Sequence, residues 1–506
     1  MNRTLQKKVF LGVSALLLVI VTVPLLRMSH YTFIFGDDLG SIKPSLAQWK
    51  ENHSLIQVLK LQFAYAQAYY RGWGGTFSME WFGTSLMVIM GDTFYWVGTY
   101  ITLLGLILSE LFLFMLVGTK ALGADMYDTG VVSCWLIMLQ IEFVPYPVEA
   151  YYWMCGAILY TVGFSFTFLL YALMFLFLRR GVNPVKVRGA KGVLPSVFLQ
   201  LGILFLSFVI SFGNFVSALF GFTSCLLLIF GVWFKKHPAK WVVTLDGLFY
   251  MVFFVLNVTA PGNRYRMDSA GAESMGAVKA IAKSLLSAAN YILVNMYPTI
   301  MILILMMLPF MICMVRHRAL SGAKTFRFPL VFSAVSFGLY ACQYVPNMYS
   351  LGILGAGRVI NLYRYTAYIW IFLNVIYWIG WILRRLHEEK PEIGADYLKL
   401  KKSHLLAAEG SLLVLFCFAA YYYGGSTITS VSAVQSIRSG QAKAYHEEYL
   451  ERLEILQDPE IRDAVLEPYT DPPYLIYLDD IKEDPTHYSN GALADFYGKA
   501  SVRLRK

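Results

Sequence analysis

Residues 9–38 read VFLGVSALLLVIVTVPLLRMSHYTFIFGDD: a long apolar run, an arginine, a short aromatic link and then two adjacent carboxylates. A helix rises 1.5 Å per residue, so roughly 20 mainly apolar residues carry it across the hydrocarbon core of a bilayer. Positions 9–27 meet that length. Pro24, Leu25, Leu26 and Arg27 offer no small-residue cleavage site, so the run reads as an anchor and not as a removable signal. Working outward, runs of the same kind recur at 95–117, 129–146, 156–178, 194–212, 215–234, 241–259, 291–315, 328–346, 364–383 and 404–423. The expectation is therefore an all-α polytopic membrane protein with about eleven transmembrane helices.

Composition agrees. Of 506 residues 57% are hydrophobic and 15% are charged, whereas a soluble enzyme carries roughly a quarter charged residues. A soluble globular enzyme, a disordered scaffold and a nucleic-acid reader are excluded, and the lipid bilayer is the first partner. Cysteines 134, 155, 225, 313, 342 and 417 show no pairing or metal-ligand spacing and are assigned to packing.

The formal charge of +10 is mostly a topology signal. With the N-terminus inside, the short inner segments hold over half of all Lys and Arg, beginning with Arg3, Lys7 and Lys8 and ending with the group from Arg384 to Lys402. Positive-inside bias then sets the orientation as N-terminus cytoplasmic, and an odd number of spans puts the C-terminus outside. Two outer regions are large. Within the membrane domain, 1–423, a first outer loop covers 28–94, and its apolar segment 84–90 is too short to span and is expected to lie at the interface or dip in partway. The tail 424–506 carries 14 Asp and Glu against 9 Lys and Arg. It reads as a small α/β extracytoplasmic cap with a helix at 432–457, a strand at 474–477, a turn at Asp484-Pro485 and a helix near 490–498.

Ionisable residues near membrane depth are costly, so they mark function by default. Here they gather on the outer side. Asp37 and Asp38 follow the first span; Arg71, Trp73, Glu80 and Asp92 share the first outer loop. Glu149 and Trp153 lie between spans 3 and 4, Asn263, Arg264 and Arg266 follow span 7, and Arg358 and Asn361 follow span 9. Carboxylates opposite arginines, with Trp and Tyr nearby, suit sugar chemistry. A carboxylate takes a proton from a hydroxyl, guanidinium groups hold a phosphate, and aromatic faces cover sugar rings. No P-loop, HExxH or Ser-His-Asp spacing is present.

At these residues the chain resembles the GT-C superfamily of membrane glycosyltransferases, which carry an acidic pair just after span 1 in a long first outer loop. The segments from Glu149 to Ala157, Pro261-Gly262-Asn263, Gly357 to Asn361, Pro472 to Tyr477, and Asp484-Pro485 with Asn490 and Tyr497-Gly498 are similar to a bacterial glucosyltransferase-like branch. The likeness covers nearly the whole chain in short motifs and is silent on the sugar. It implies transfer from a polyprenyl-phosphate-linked sugar donor to a glycan or lipid-linked acceptor at the outer face of the cytoplasmic membrane. Asp37 would be the catalytic base and Asp38 would orient it or bind a metal. Arg264, Arg266 and Arg358 would hold the donor phosphate, and Arg71, Glu149, Trp153, Asn263 and Asn361 would line the substrate site. The mechanism would be inverting displacement without a covalent intermediate. The first loop lacks an Asp-x-Asp spacing, so no metal or other cofactor is expected to be obligatory; Mg or Mn at Asp37 and Asp38 stays open.

Plainer roles stand beside these. Asp37 and Asp38 would also cap a helix, Arg264 and Arg266 would also snorkel to the interface, and Pro261-Gly262-Asn263 would also form only a turn. Glu149 would also serve a tyrosine, and Arg71, Trp73 and Trp153 suit structure or sugar stacking better than catalysis. A transporter or flippase of lipid-linked saccharides, and a glycan polymerase or ligase, are the competing functions. A transporter calls for polar residues or broken helices at the midplane, where this chain offers Glu110, Glu142 and little else.

Overall fold

The computed structural model describes residues 3–180, 190–269, 271, 274–295, 298–321, 325–389, 414 and 428–506. The first helix, α1 (Arg3–Met28), is followed by three helices between the first two spans: α2 (Asp37–Asn52), α3 (Leu55–Gly72) and α4 (Phe77–Met90). Then come α5 (Trp96–Leu116), α6 (Met126–Glu142), α7 (Gly163–Arg180), α8 (Ala190–Ser211), α9 (Phe215–Phe234) and α10 (Lys240–Val258). The short α11 (Pro261–Ser269) leads to α12 (Ala277–Val294), α13 (Pro298–Leu320), α14 (Pro329–Ala341) and the long α15 (Gly357–Glu389). The cap comprises α16 (Thr429–Arg438), α17 (Gln441–Gln457), β1 (Asp463–Leu466), α18 (Tyr488–Tyr497) and β2 (Ser501–Leu504).

Among the described residues eight helices are long and apolar enough to cross a membrane: α1, α5, α7, α9, α10, α12, α13 and α15, some extended by a turn. The chain is an all-α multi-pass membrane protein. Spans expected at 129–146, 194–212 and 328–346 are helices α6, α8 and α14, which fall short of that length or hydropathy. The span expected at 404–423 lies outside the described residues except for position 414. Helix α12 was not foreseen, because Lys279 and Lys283 make its sequence look like loop. Its small residues Ala280, Ser284 and Ala288 with Tyr291 are buried along one face, while Val278, Leu286 and Leu293 point outward. The expected single run at 291–315 therefore covers the last turn of one helix and most of the next.

Helix α1 shows how the bundle is patterned. Val9, Val13, Leu16, Ile20 and Val23 are exposed along one stripe, as a lipid-facing surface requires. Ser14, Leu18, Leu25 and Met28 are buried on the other side, where the Trp135 indole donates to Ser14 Oγ at 3.0 Å. Inside a bilayer a hydroxyl needs such a partner.

The two ends of the bundle differ. At one end Lys7 pairs with Asp125 and Asp128, and Arg179 donates to the carbonyl of Lys120. At the other, Tyr152 donates to the carbonyl of Leu25 at 3.1 Å, and α2, α3 and α4 pack together. Residues 84–90 are the C-terminal half of α4, with Met87, Val88 and Met90 buried in a core shared with Trp153, Ile158 and Leu159.

The cap differs from its expected pattern in three places. The helix at 432–457 is broken at Gly440, whose φ of +82° is the left-handed region that glycine enters freely. Residues 474–477 form a turn and no strand; two prolines precede them, and Leu475 and Ile476 are inserted in the core. The strands are instead β1 and β2, paired in parallel from Asp463 opposite Ser501 to Leu466 opposite Leu504. The helix near 490–498 is found as α18. In the Asp484-Pro485 turn the side chain of Asp484 accepts from the Thr486 N–H at 2.9 Å.

The cap is fixed to the membrane domain by specific contacts. Glu142, at the end of α6, accepts from the Ser430 N–H at 2.9 Å and hydroxyl at 2.5 Å, so it caps the start of α16. Tyr474 donates to the carbonyl of Pro145 at 2.9 Å, and the rings of Phe33 and Tyr449 stack at 3.6 Å. Lys43 on α2 pairs with Asp495 on α18 at 2.5 Å.

Candidate functional site

Between α2, α3, the 148–162 segment and the cap lies a cavity of about 730 Å3. Its floor carries Asp37, Glu80, Trp153, Asn214, Arg266 and Arg358; its roof carries Tyr445, Tyr449, Arg452, Tyr469 and Tyr488 of the cap.

Asp37 is the first residue of α2. Gly36 precedes it with a φ of +59°, which a side chain would strain, and this turn leaves Asp37 exposed on the cavity wall while Asp38 points inward. The two acids therefore have separate surroundings. Asp38 is fully buried and accepts from the Cys155 N–H at 2.8 Å, the Tyr95 hydroxyl at 2.5 Å and the Met154 N–H at 3.4 Å. Burial pushes its carboxyl up to about 6, and those donors oppose the rise. Asp38 does not line the cavity. Both its oxygens are occupied, so a divalent cation held jointly by Asp37 and Asp38 does not fit this arrangement.

The anchor points of Asp38 belong to an irregular segment. Val148–Tyr152 and Ala157–Val162 are each a single wide helical turn, and between them Trp153 is extended at φ −93°, ψ 117°. Such turns are frequent at functional sites. Trp153 is directed to the cavity, and its buried indole N–H has no hydrogen-bond partner; a Cβ on Gly36 would stand 3.6 Å from it. Glu149, in the first wide turn, lies just behind the wall. The backbone N–H and the guanidinium of Arg358 both donate to it at 3.1 Å. A Cβ at Gly357 would come within 2.1 Å of Glu149 Oε1, so glycine is required for this approach. Asn361 clamps the backbone of Tyr146 from both sides, at 3.0 and 2.9 Å. Arg358 is thus positioned by Glu149 and lies over the rings of Trp153 and Tyr160 at 5.2 and 5.4 Å.

Arg266 enters from α11, and two glycines allow it. A Cβ at Gly262 would stand 2.5 Å from the backbone nitrogens of Trp73 and Gly74, and one at Gly75 would stand 2.0 Å from the Asn257 carbonyl. Asn263 closes this junction: its oxygen accepts from the Gly75 N–H at 2.9 Å and its amide donates to the Asn257 carbonyl at 2.8 Å. The Arg266 guanidinium lies 5.6 Å from the Trp73 ring centre and forms no ion pair among the described residues.

Of the residues singled out from the sequence, Asp37, Trp153, Arg266 and Arg358 meet at the cavity, with Glu149 one step behind. Asp38, Asn263 and Asn361 hold backbone in place. Arg71 and Arg264 are exposed and do not line the cavity. From the sequence, Glu80 is a charge without a role. It is 3% exposed, lines the cavity beside Tyr69 and Thr76, and is pushed up to about 8 by burial, with the charge of Asp37 adding to the rise and Arg266 opposing it. A lone carboxylate inside the apolar stretch 77–90 was the available signal. The cap side was missed entirely. There Arg452 holds Asp480 in a bidentate pair at 2.8 and 2.7 Å and lies 3.5 Å from the Tyr469 ring centre.

Comparisons with family models, with curated proteins and with solved structures find no match to this chain.

Proposed function

We propose that this chain is a GT-C-type membrane glycosyltransferase that moves a sugar from a polyprenyl-phosphate-linked donor to a hydroxyl of a glycan or lipid-linked acceptor. The observation that carries the proposal is the meeting, in one aromatic-walled cavity at a bundle end, of an exposed carboxylate and two arginines. Asp37 takes the proton of the acceptor hydroxyl as its oxygen bonds to the anomeric carbon. The bond from that carbon to the phosphate oxygen breaks, its electron pair stays on the phosphate, and Arg266 and Arg358 hold the resulting anion. The route is inverting, with no covalent enzyme intermediate. Trp73, Trp153 and the cap tyrosines offer apolar faces to the sugars, and the free indole N–H of Trp153 offers a donor to a hydroxyl. Positive-inside bias puts the Lys7 end in the cytoplasm and the cavity and cap outside the cytoplasmic membrane.

The test compares surface glycans in cells carrying the wild-type chain, no chain, or Asp37→Asn at equal membrane levels. Loss of a general base lowers the rate about a hundred- to ten-thousand-fold. One specific sugar branch should vanish in both deficient strains. Loss of the whole polymer only without the chain, with Asp37→Asn behaving as wild type, would instead indicate a flippase or a polymerase that does not use Asp37.

A further inference from the structure

We propose that Glu80 is a positioning residue of the anion site: as a neutral acid it leaves the Arg266 cation available to the donor phosphate, and on ionising it withdraws that cation. The inference rests on the anionic-donor reading of the cavity. Geometry carries it. Glu80 and Arg266 line the same cavity from α4 and α11. The other arginines on its wall are already committed, Arg358 to Glu149 and Arg452 to Asp480. Arg266 alone among them has no carboxylate partner in the described residues, and Glu80 is a carboxyl buried in the same wall, 3% exposed.

The groups that face Glu80 come from every neighbouring element. They are Asp37 on α2, Tyr65 and Tyr69 on α3, Thr76 in its own turn, Cys155 in the 148–162 segment and Arg266 on α11. Burial holds Tyr65 and Tyr69 well above the ordinary tyrosine range, so both stay neutral. Glu80 is itself raised to about 8, first by burial and then by Asp37. It therefore carries its proton at pH 7. The sign follows: anion binding is present below that value and is lost as pH rises through it. When only the protonated form binds, apparent affinity scales with its fraction, which falls about tenfold between pH 7 and pH 9.

The experiment measures binding of a short-chain polyprenyl-phosphoryl hexose to the purified full-length protein. A phosphodiester is the right probe because its single charge does not change across this range. Wild-type affinity should fall about tenfold between pH 7 and pH 9, and Glu80→Gln, neutral throughout, should hold its pH 7 affinity at pH 9. Asp37→Asn supplies an independent arm that does not depend on the Gln variant folding. Removing that negative neighbour should move the wild-type midpoint to lower pH. A flat wild-type profile, a parallel fall in Glu80→Gln, or an unmoved midpoint in Asp37→Asn would overturn the role of Glu80 while leaving the transferase intact. No binding by the wild type at any pH would overturn the anionic-donor reading itself.

Discussion

Asp37 and Asp38 are neighbours in sequence, and the structure assigns them opposite sensitivities to substitution. Replacing Asp38 by Ala removes the acceptor for the Cys155 N–H and the Tyr95 hydroxyl in a fully buried place; the Met154 N–H keeps Tyr95 Oη at 3.3 Å. Each orphaned donor costs about 1–3 kcal/mol. Relief from burying a carboxylate with no cation beside it offsets part of this, so Asp38→Ala should lose about 2–4 kcal/mol. Asp38→Asn keeps an oxygen for Cys155 and presents an amide that Tyr95 can accept from, so at pH 7 it should stay within about 1 kcal/mol of wild type.

The pH dependence has a definite sign. Asp38 is raised from 3.8 to about 6 in the fold, so the folded state holds this proton more tightly than the unfolded chain. Relative to Asp38→Asn, the wild type should lose about 2 kcal/mol as pH rises from 4 to 7. Thermal unfolding of the detergent-solubilised protein, followed by tryptophan fluorescence, reads both effects, and a transfer assay on the same samples reads activity. Asp38→Asn should retain activity where Asp37→Asn does not. A stable but inactive Asp38→Asn would refute the reasoning and place the charge of Asp38 in the chemistry.

Gly357→Ala should displace Glu149, because the new methyl would meet its Oε1 at 2.1 Å and the Tyr146 side chain at 2.6 Å. Overpacking of this kind costs about 1–3 kcal/mol, and donor affinity, measured by titration of the lipid-linked sugar, should fall with it; an unchanged affinity would show that Arg358 does not need Glu149. Glu142→Ala should loosen the cap by removing the acceptor of the Ser430 N–H and hydroxyl, at about 1 kcal/mol for a lost helix cap. Limited proteolysis should then release the cap faster than in wild type, and an unchanged cleavage rate would count against that anchor.

The membrane architecture was legible because a lipid-facing helix must be apolar along its length: α9 carries no charge, α5 carries only the buried Glu110, and α1 has its charges near its two ends. Helix α12 was not legible, since it pairs an outward apolar stripe with lysines and so looks like loop. The site was half legible. Asp37, Trp153, Arg266 and Arg358 betrayed themselves as polar residues at span ends. Asp38, Asn263 and Asn361 sent the same signal, yet they satisfy backbone groups in irregular segments where no helix ladder can. Sequence position does not separate a residue that serves a ligand from one that serves the chain. The cap wall was illegible because its tyrosines and Arg452 reach the cavity only through docking, which no local pattern encodes.

That distinction between serving a ligand and serving the chain also explains the charge economy of the cavity. Arg358 and Arg452 are each locked to a carboxylate and to an aromatic ring, so their planes are fixed and much of their charge is answered within the protein. Such pairs specify geometry more than they attract a ligand. Arg266 is different: it rests near Trp73 on a helix whose seat depends on two glycines, and its charge has no permanent partner among the described residues. An anion arriving in the cavity therefore finds one cation open and a second held still, with Asp37 across the same space. Those are the requirements of a displacement at a phosphorylated carbon: one group to take a proton, one to hold the departing charge, and a rigid neighbour to keep the two apart.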